Sequence, residues 1–153
     1  MRSDNEKHTK RIAAEFVQRF LKGGGLVLLG GELGAGKTVF VKGMAEGLGI
    51  DPNEIVSPTF TLIHEHLSGI MPLFHMDLYR IDSWDEVQAL GISEYLLPGS
   101  VTAIEWGNRF EDHFPSPFYR VEISWSGEKK RYVKIFITRN QNCQEEVKND
   151  FGH

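Results

Sequence analysis

The sequence predicts a single α/β domain, and three observations carry that prediction. A short apolar run, LVLL at residues 26–29, leads into GELGAGKT at residues 31–38 and then into FVKGMAEGL, the order of a strand, a loop and a helix. Apolar residues recur at helical spacing between residues 9 and 21, at Ile12, Ala13, Phe16, Val17 and Phe20. Two later pairs of β-rich runs are each joined by a glycine-bearing turn. At 153 residues the chain has the length of about one domain and enough material for a buried core.

Each element follows from its own signals. Gly23-Gly24-Gly25 stops the first helix, and residues 26–29 form a fully apolar, buried strand. Residues 37–48 read as a second helix ended by Gly49. IVSPTFTLIHEHL at 55–67 and LFHMDLYR at 73–80 read as a hairpin turning at Ser68-Gly69, with Pro58 at an edge or bend. Ser83-Trp84-Asp85-Glu86 is a capping box that starts a helix through Leu90, ended by Gly91. Residues 92–97 suggest another short helix, VTAIEW at 101–106 a strand, and 107–114 a turn or helical segment closed by Pro115 and Pro117. Tyr119, Val121, Ile123 and Trp125 alternate with polar residues, as do Val133, Ile135 and Ile137, so a second hairpin turns near Gly127. The polar tail, from about residue 139, is expected to be flexible.

Composition narrows the function. Hydrophobic residues make up 41% and charged residues 25%, the balance of an ordinary soluble globular protein. A net charge of -4 argues against a chain whose main task is to grip a nucleic-acid backbone, though not against a partner that does so. One cysteine, Cys143, excludes an internal disulfide and a cysteine-rich zinc site. The charged start lacks the pattern of a signal peptide, and no apolar run approaches the roughly 18 residues of a membrane span, so a cytoplasmic location is expected.

The segment GELGAGKT fulfils G-x-x-x-x-G-K-[ST] with Gly31, Gly36, Lys37 and Thr38. Glycines let backbone N–H groups curl around a phosphate, and the following helix adds its N-terminal partial charge. Lys37 supplies a point charge for phosphate oxygens, and Thr38 a hydroxyl able to ligate Mg²⁺. A hydrolytic site of this kind also needs an acid for the metal and a group that positions water. Asp77 ends LFHMD and Glu105 ends VTAIE, both apolar strands delivering a carboxylate. Glu105, with the cleaner apolar lead-in, is the first metal candidate, and Asp77 is expected beside it, meeting the metal through a water or orienting the attacking water. Both are otherwise solvated strand-end acids. Thr59, in Ser57-Pro58-Thr59, suits a loop that senses the γ-phosphate, or a plain turn. His64, His66 and His75 form either a transition-metal cluster or, better, polar positions on a half-exposed hairpin. Trp106 is core, lid or partner contact. Lys129-Lys130-Arg131 is a basic patch or a solvated turn.

GELGAGKT, SPTFTLIHEH, FHMDLYR and IEWGNRF, in that order and spacing, resemble the TsaE family (formerly YjeE) over roughly residues 9–137. The first motif is shared by many ATPases; the later three are far more specific. The resemblance implies a P-loop NTPase fold with a mixed β-sheet flanked by helices. It implies ATP at Leu33, Gly34, Ala35, Gly36, Lys37 and Thr38, and Mg²⁺ on Thr38 and Glu105. Lys37, Asp77, Glu105 and Thr59 would be the catalytic set, Thr59 and Trp106 the switch and partner contacts. Thr9 and Arg131 fall where the family approaches the adenine. The implied role is ATP hydrolysis that resets the TsaD–TsaB pair as it threonylcarbamoylates adenosine 37 of tRNAs reading ANN codons, with tRNA met through those partners. Asn108-Arg109 is not a family signal and is not expected to touch the site. Two rivals stand: a small P-loop metabolite kinase, disfavoured by scattered arginines, and a non-catalytic nucleotide-sensing module.

Overall fold

A computed structural model describes residues 1–58, 62–140 and 142–148. The chain runs β1 (Arg2–Ser3), α1 (Glu6–Phe20), β2 (Gly25–Gly30), α2 (Lys37–Gly47), β3 (Ile63–His66), β4 (Leu73–Asp77), α3 (Trp84–Ala89), β5 (Val101–Glu105), β6 (Phe118–Trp125), β7 (Arg131–Asn140) and β8 (Cys143–Glu146). Short 3₁₀ turns occupy Pro52–Glu54, Ile92–Tyr95 and Gly107–His113. The strands form one mixed sheet in the order β1-β7-β6-β2-β5-β4-β3, with β8 also on β7. The four central strands, β6, β2, β5 and β4, run parallel, and the antiparallel partners lie outside them.

Period-two alternation sorts the central strands onto two cores. Val27 and Leu29 of β2, with Val101 and Ala103 of β5, pack under α1 and α2. Leu26, Leu28, Met76 and Ile104 point the other way, against Val87, Ile92, Phe110 and Phe114. Two covered faces explain why β2 reads as a continuous apolar run. The helices α1 and α2 approach closely through Gly43 and Gly47, where an added Cβ would lie 2.4 Å from the Lys10 carbonyl and 2.8 Å from that of Ala14.

Several boundaries differ from the sequence expectation, among them β4, which ends at Asp77 and not Arg80. Helix α1 begins at Glu6, three residues before Thr9, because Asn5 caps it by accepting the His8 N–H at 2.8 Å. Among its described residues the run 55–67 contributes strand at Ile63–His66 alone, and Pro58 lacks the N–H a ladder needs. β5 ends at Glu105, not Trp106, which turns left-handed at φ 64°. The described part of the polar tail from about residue 139 extends β7 to Asn140 and returns as β8, with the Val147 N–H donating to the Ile135 carbonyl at 2.7 Å. Polar composition hid that strand; pairing with an open edge made it.

Candidate functional site

The glycine loop joins β2 to α2 at the carboxyl end of the parallel strands, where ligands of open α/β sheets bind. Close approach as well as positive φ demands glycine at two of its positions. Gly31 (φ 145°) has no room for a Cβ, which would meet the Ile123 carbonyl at 2.4 Å. Gly36 (φ 111°) faces Arg131 Nε at 2.6 Å in the same sense. Lys37 Nζ donates to the Gly31 carbonyl at 2.6 Å and the Glu32 carbonyl at 2.8 Å, and lies 4.2 Å from the Trp106 ring centroid. Burial pushes its ammonium below the usual lysine range, while the charges of Glu105 and Asp77 pull it back.

The two acids meet beside the loop. Parallel pairing puts Asp77 of β4 directly opposite Glu105 of β5, both on the sheet face that carries α2. Both are nearly buried. The Thr38 hydroxyl donates to both Glu105 oxygens, at 3.2 and 3.1 Å. Asp77 accepts from the Tyr79 N–H at 2.9 Å and the Ser57 hydroxyl at 3.3 Å. A hydroxyl and two carboxylates are hard oxygen donors, the set Mg²⁺ prefers beside phosphates, so the residues present fit that cation. They are positioned acids rather than free strand-end carboxylates.

A cleft of about 360 Å³ opens between these groups, lined by Leu33, Gly34, Gly36, Lys37, Thr38, Asp77, Glu105, Trp106 and Arg131. Ala35 is not among the lining residues and is fully buried in the core. Arg131 is not part of a solvated basic turn. It is 4% exposed, donates Nε–H to the Ala35 carbonyl at 2.7 Å and stacks on Trp125. Arg80 lines the same cleft, so two arginines scattered in sequence converge here. Thr9 does not line it. Its side chain is fully buried and paired with Ser3 Oγ at 2.6 Å, whereas Glu6, one turn earlier, does line the cleft. Thr59 lies outside the described residues.

Three residues gain roles that motif reasoning did not assign. His75 is not a half-exposed hairpin position: it is wholly buried, and its Nε2–H donates to Glu105 Oε2 at 2.5 Å. The carboxylate only accepts, so it fixes the proton on Nε2, and Nδ1 finds no partner among the described residues. Period two was the available signal, since His75 and Asp77 share a face. No group of histidines, cysteines and acids able to hold a metal by itself occurs among the described residues. Arg109, expected to stay clear of the site, donates to the carbonyls of Leu78, Tyr79 and Ile81, clasping the turn that follows Asp77. Asn108 packs on Gly30 at the base of the loop.

The family model for threonylcarbamoyl adenosine biosynthesis protein TsaE matches residues 3–133. The chain belongs to the TsaE family. A Bacillus subtilis (strain 168) relative, named tRNA threonylcarbamoyladenosine biosynthesis protein TsaE, is 39% identical over 97% of this chain and 94% of its own. One from Treponema pallidum (strain Nichols), with the same name, is 46% identical over 71% and 77%. The crystal structure of Bacillus subtilis YdiB superposes with a TM-score of 0.67 at 36% identity, covering 92% of this chain and 84% of that one. TsaE membership and this superposition give the P-loop NTPase fold, with its mixed sheet flanked by helices.

Proposed function

We propose that this chain is a Mg²⁺-dependent ATPase of tRNA threonylcarbamoyladenosine biosynthesis. The observation that carries the reading is Thr38 donating to both oxygens of Glu105, beside Lys37 and opposite Asp77. Relatives across nearly the whole chain bear names from that modification. Lys37 would exchange its loop carbonyls for phosphate oxygens, and the backbone N–H groups of residues 33–38 would surround the phosphate tail. When bound with ATP, Mg²⁺ supplies charge neutralisation at the β- and γ-phosphate oxygens. Thr38 and Glu105 would hold it. Asp77, fixed by the Tyr79 N–H, would orient the attacking water, and Thr59 would report the γ-phosphate. Arg131, tied to the loop at Ala35, would sit against the nucleotide. Thr9 would contribute to the adenine end only if its bond to Ser3 opened.

In this reading the protein is cytoplasmic, with the TsaD–TsaB pair as its partner and tRNA reached through that pair. Among the described residues no helix is long and apolar enough to cross a membrane. Exposed Leu33 and partly buried Trp106 border the cleft and would face the partner. The test is Mg²⁺-dependent ATP turnover by the purified chain, alone and with TsaD–TsaB. Slow turnover that rises with the pair is expected, and Glu105→Ala should lower it by about 100-fold, the scale of one lost charge-stabilising group. Turnover unchanged by that substitution sinks the metal assignment, and indifference to the pair sinks the partner. The convergence of Arg80 and Arg131 at the cleft favours one second reading, a phosphoryl transferase, which a screen of small acceptors would reveal.

A further inference from the structure

We propose that His75 is a positioning residue for the Glu105 carboxylate, holding it for a divalent cation beside the phosphate loop. The proposal rests on Thr38 and Glu105 as the cation's ligands. Its basis is a polar side chain where the fold alone calls for an apolar one. His75 is fully buried on a central strand, with Leu73 two residues before it in the core under α1 and α2. Burying an imidazole there costs free energy unless its polar atoms are used. Its register partner on β5 is Ala103, whose small side chain leaves a diagonal path to Glu105, and Nε2–H takes it at 2.5 Å.

The donors around Glu105 divide the work. Among the described residues, the side chains that donate to this carboxylate are Thr38 and His75. Thr38 meets both oxygens, whereas His75 holds Oε2 alone. Asp77 is held separately, by the Tyr79 N–H and Ser57. A cation at this place engages the Thr38 hydroxyl and so weakens one of the two restraints on Glu105. His75 is the restraint that stays, on a rigid strand behind the ligand. Outer partners of this kind fix ligand orientation, and their loss costs about 10–100-fold in metal affinity. The imidazole touches neither cation nor nucleotide in this role; it acts through Glu105.

The experiment is Mn²⁺ binding, read by electron paramagnetic resonance, to the full chain loaded with the non-hydrolysable analogue AMP-PNP. His75→Phe should weaken Mn²⁺ by about 10–100-fold while leaving metal-free AMP-PNP affinity unchanged. In a Glu105→Gln background the same substitution should add nothing, because its effect passes through that carboxylate. His75→Gln, which keeps a donor, should recover most of the loss. Wild-type Mn²⁺ affinity in His75→Phe, or penalties that simply add in the double variant, would overturn the proposal. Should His75→Phe lose the native circular dichroism, His75→Gln against His75→Met makes the comparison, donor against no donor. A Gln variant no better than Met then overturns it. Wild-type affinity in Glu105→Gln alone would instead remove the cation assignment on which the proposal stands, a failure distinguishable from that of His75.

Discussion

Trp106 shows how one residue can carry a cost that the site needs. It follows Glu105 directly, its N–H donates to the Leu29 carbonyl at 2.8 Å, and its φ of 64° is a conformation bulky side chains rarely adopt. The turn aims the indole back over the loop, against Lys37 and 5.1 Å from the Tyr79 ring. Trp106→Gly should therefore be more stable than Trp106→Ala by about 1 kcal/mol, because only glycine relieves the backbone. Chemical denaturation of the two variants checks the order. His66 makes a second residue-scale prediction. Burial, then the electrostatic influence of His75, hold its imidazole below the usual 6.5, with a smaller push the same way from His64, while Glu54 at 3.6 Å opposes them. Below 6.5 the unfolded chain takes a proton that the folded chain refuses. The penalty is absent above 6.5, grows as pH falls through the interval and is complete below the folded value. His66→Gln should flatten the loss of stability between about pH 7 and pH 5, measured by denaturant midpoints. An unchanged acid limb would remove His66 as its source.

At the scale of elements, the contact between α1 and α2 depends on absent side chains. Alanine is the better helix former by about 1 kcal/mol, so Gly→Ala in α2 would ordinarily stabilise. At Gly43 the added Cβ meets the Lys10 carbonyl at 2.4 Å and Lys10 Cα at 2.6 Å, both backbone atoms that cannot rotate away. Gly43→Ala is expected to cost about 1–3 kcal/mol net. Gly47→Ala, with its nearest atom at 2.8 Å, should cost less. A thermal melt that ranked them the other way would show that α2 shifts freely over α1. The sequence marked α2 clearly through the loop before it, yet nothing in it announced that these two glycines serve packing. Helix propensity alone reads them as defects. Arg109 is the parallel case at the β4–α3 turn: a charged residue with no role read from its motif, whose partners are backbone carbonyls that no pattern of side chains can reveal.

For the whole molecule, one end of the sheet carries the chemistry and the other the closure. The loop, Asp77 and Glu105 lie at the carboxyl ends of β2, β4 and β5, whereas β8 pairs with β7 at Phe136–Asn140, opposite the start of β6. Truncation after Asn140 should remove that ladder and the packing of Val147 on the core. An expected loss of about 2 kcal/mol, on the order of 5 °C in Tm, would leave nucleotide affinity unchanged. A fall in AMP-PNP affinity on truncation would mean that β7 transmits the damage along its length to Arg131.

By itself the sequence determined the α/β class, the glycine loop between its strand and helix, both carboxylates and the family. Those features are local: a strand-to-helix turn that needs φ above zero, a lysine beside it, an acid at the end of an apolar run. Only the tertiary structure decided which acid meets which donor. Register between β4 and β5 sets Asp77 against Glu105 and places His75 diagonally behind it, and parallel partners 28 residues apart leave no trace of register in the chain. The same holds for Arg131, which is 96 residues from the Ala35 carbonyl it grips. Edge pairing likewise turned a polar tail into β8, since main-chain hydrogen bonds form with little regard to side chain. Local chemistry is written in neighbours along the chain; the assembled site depends on distances that only folding sets.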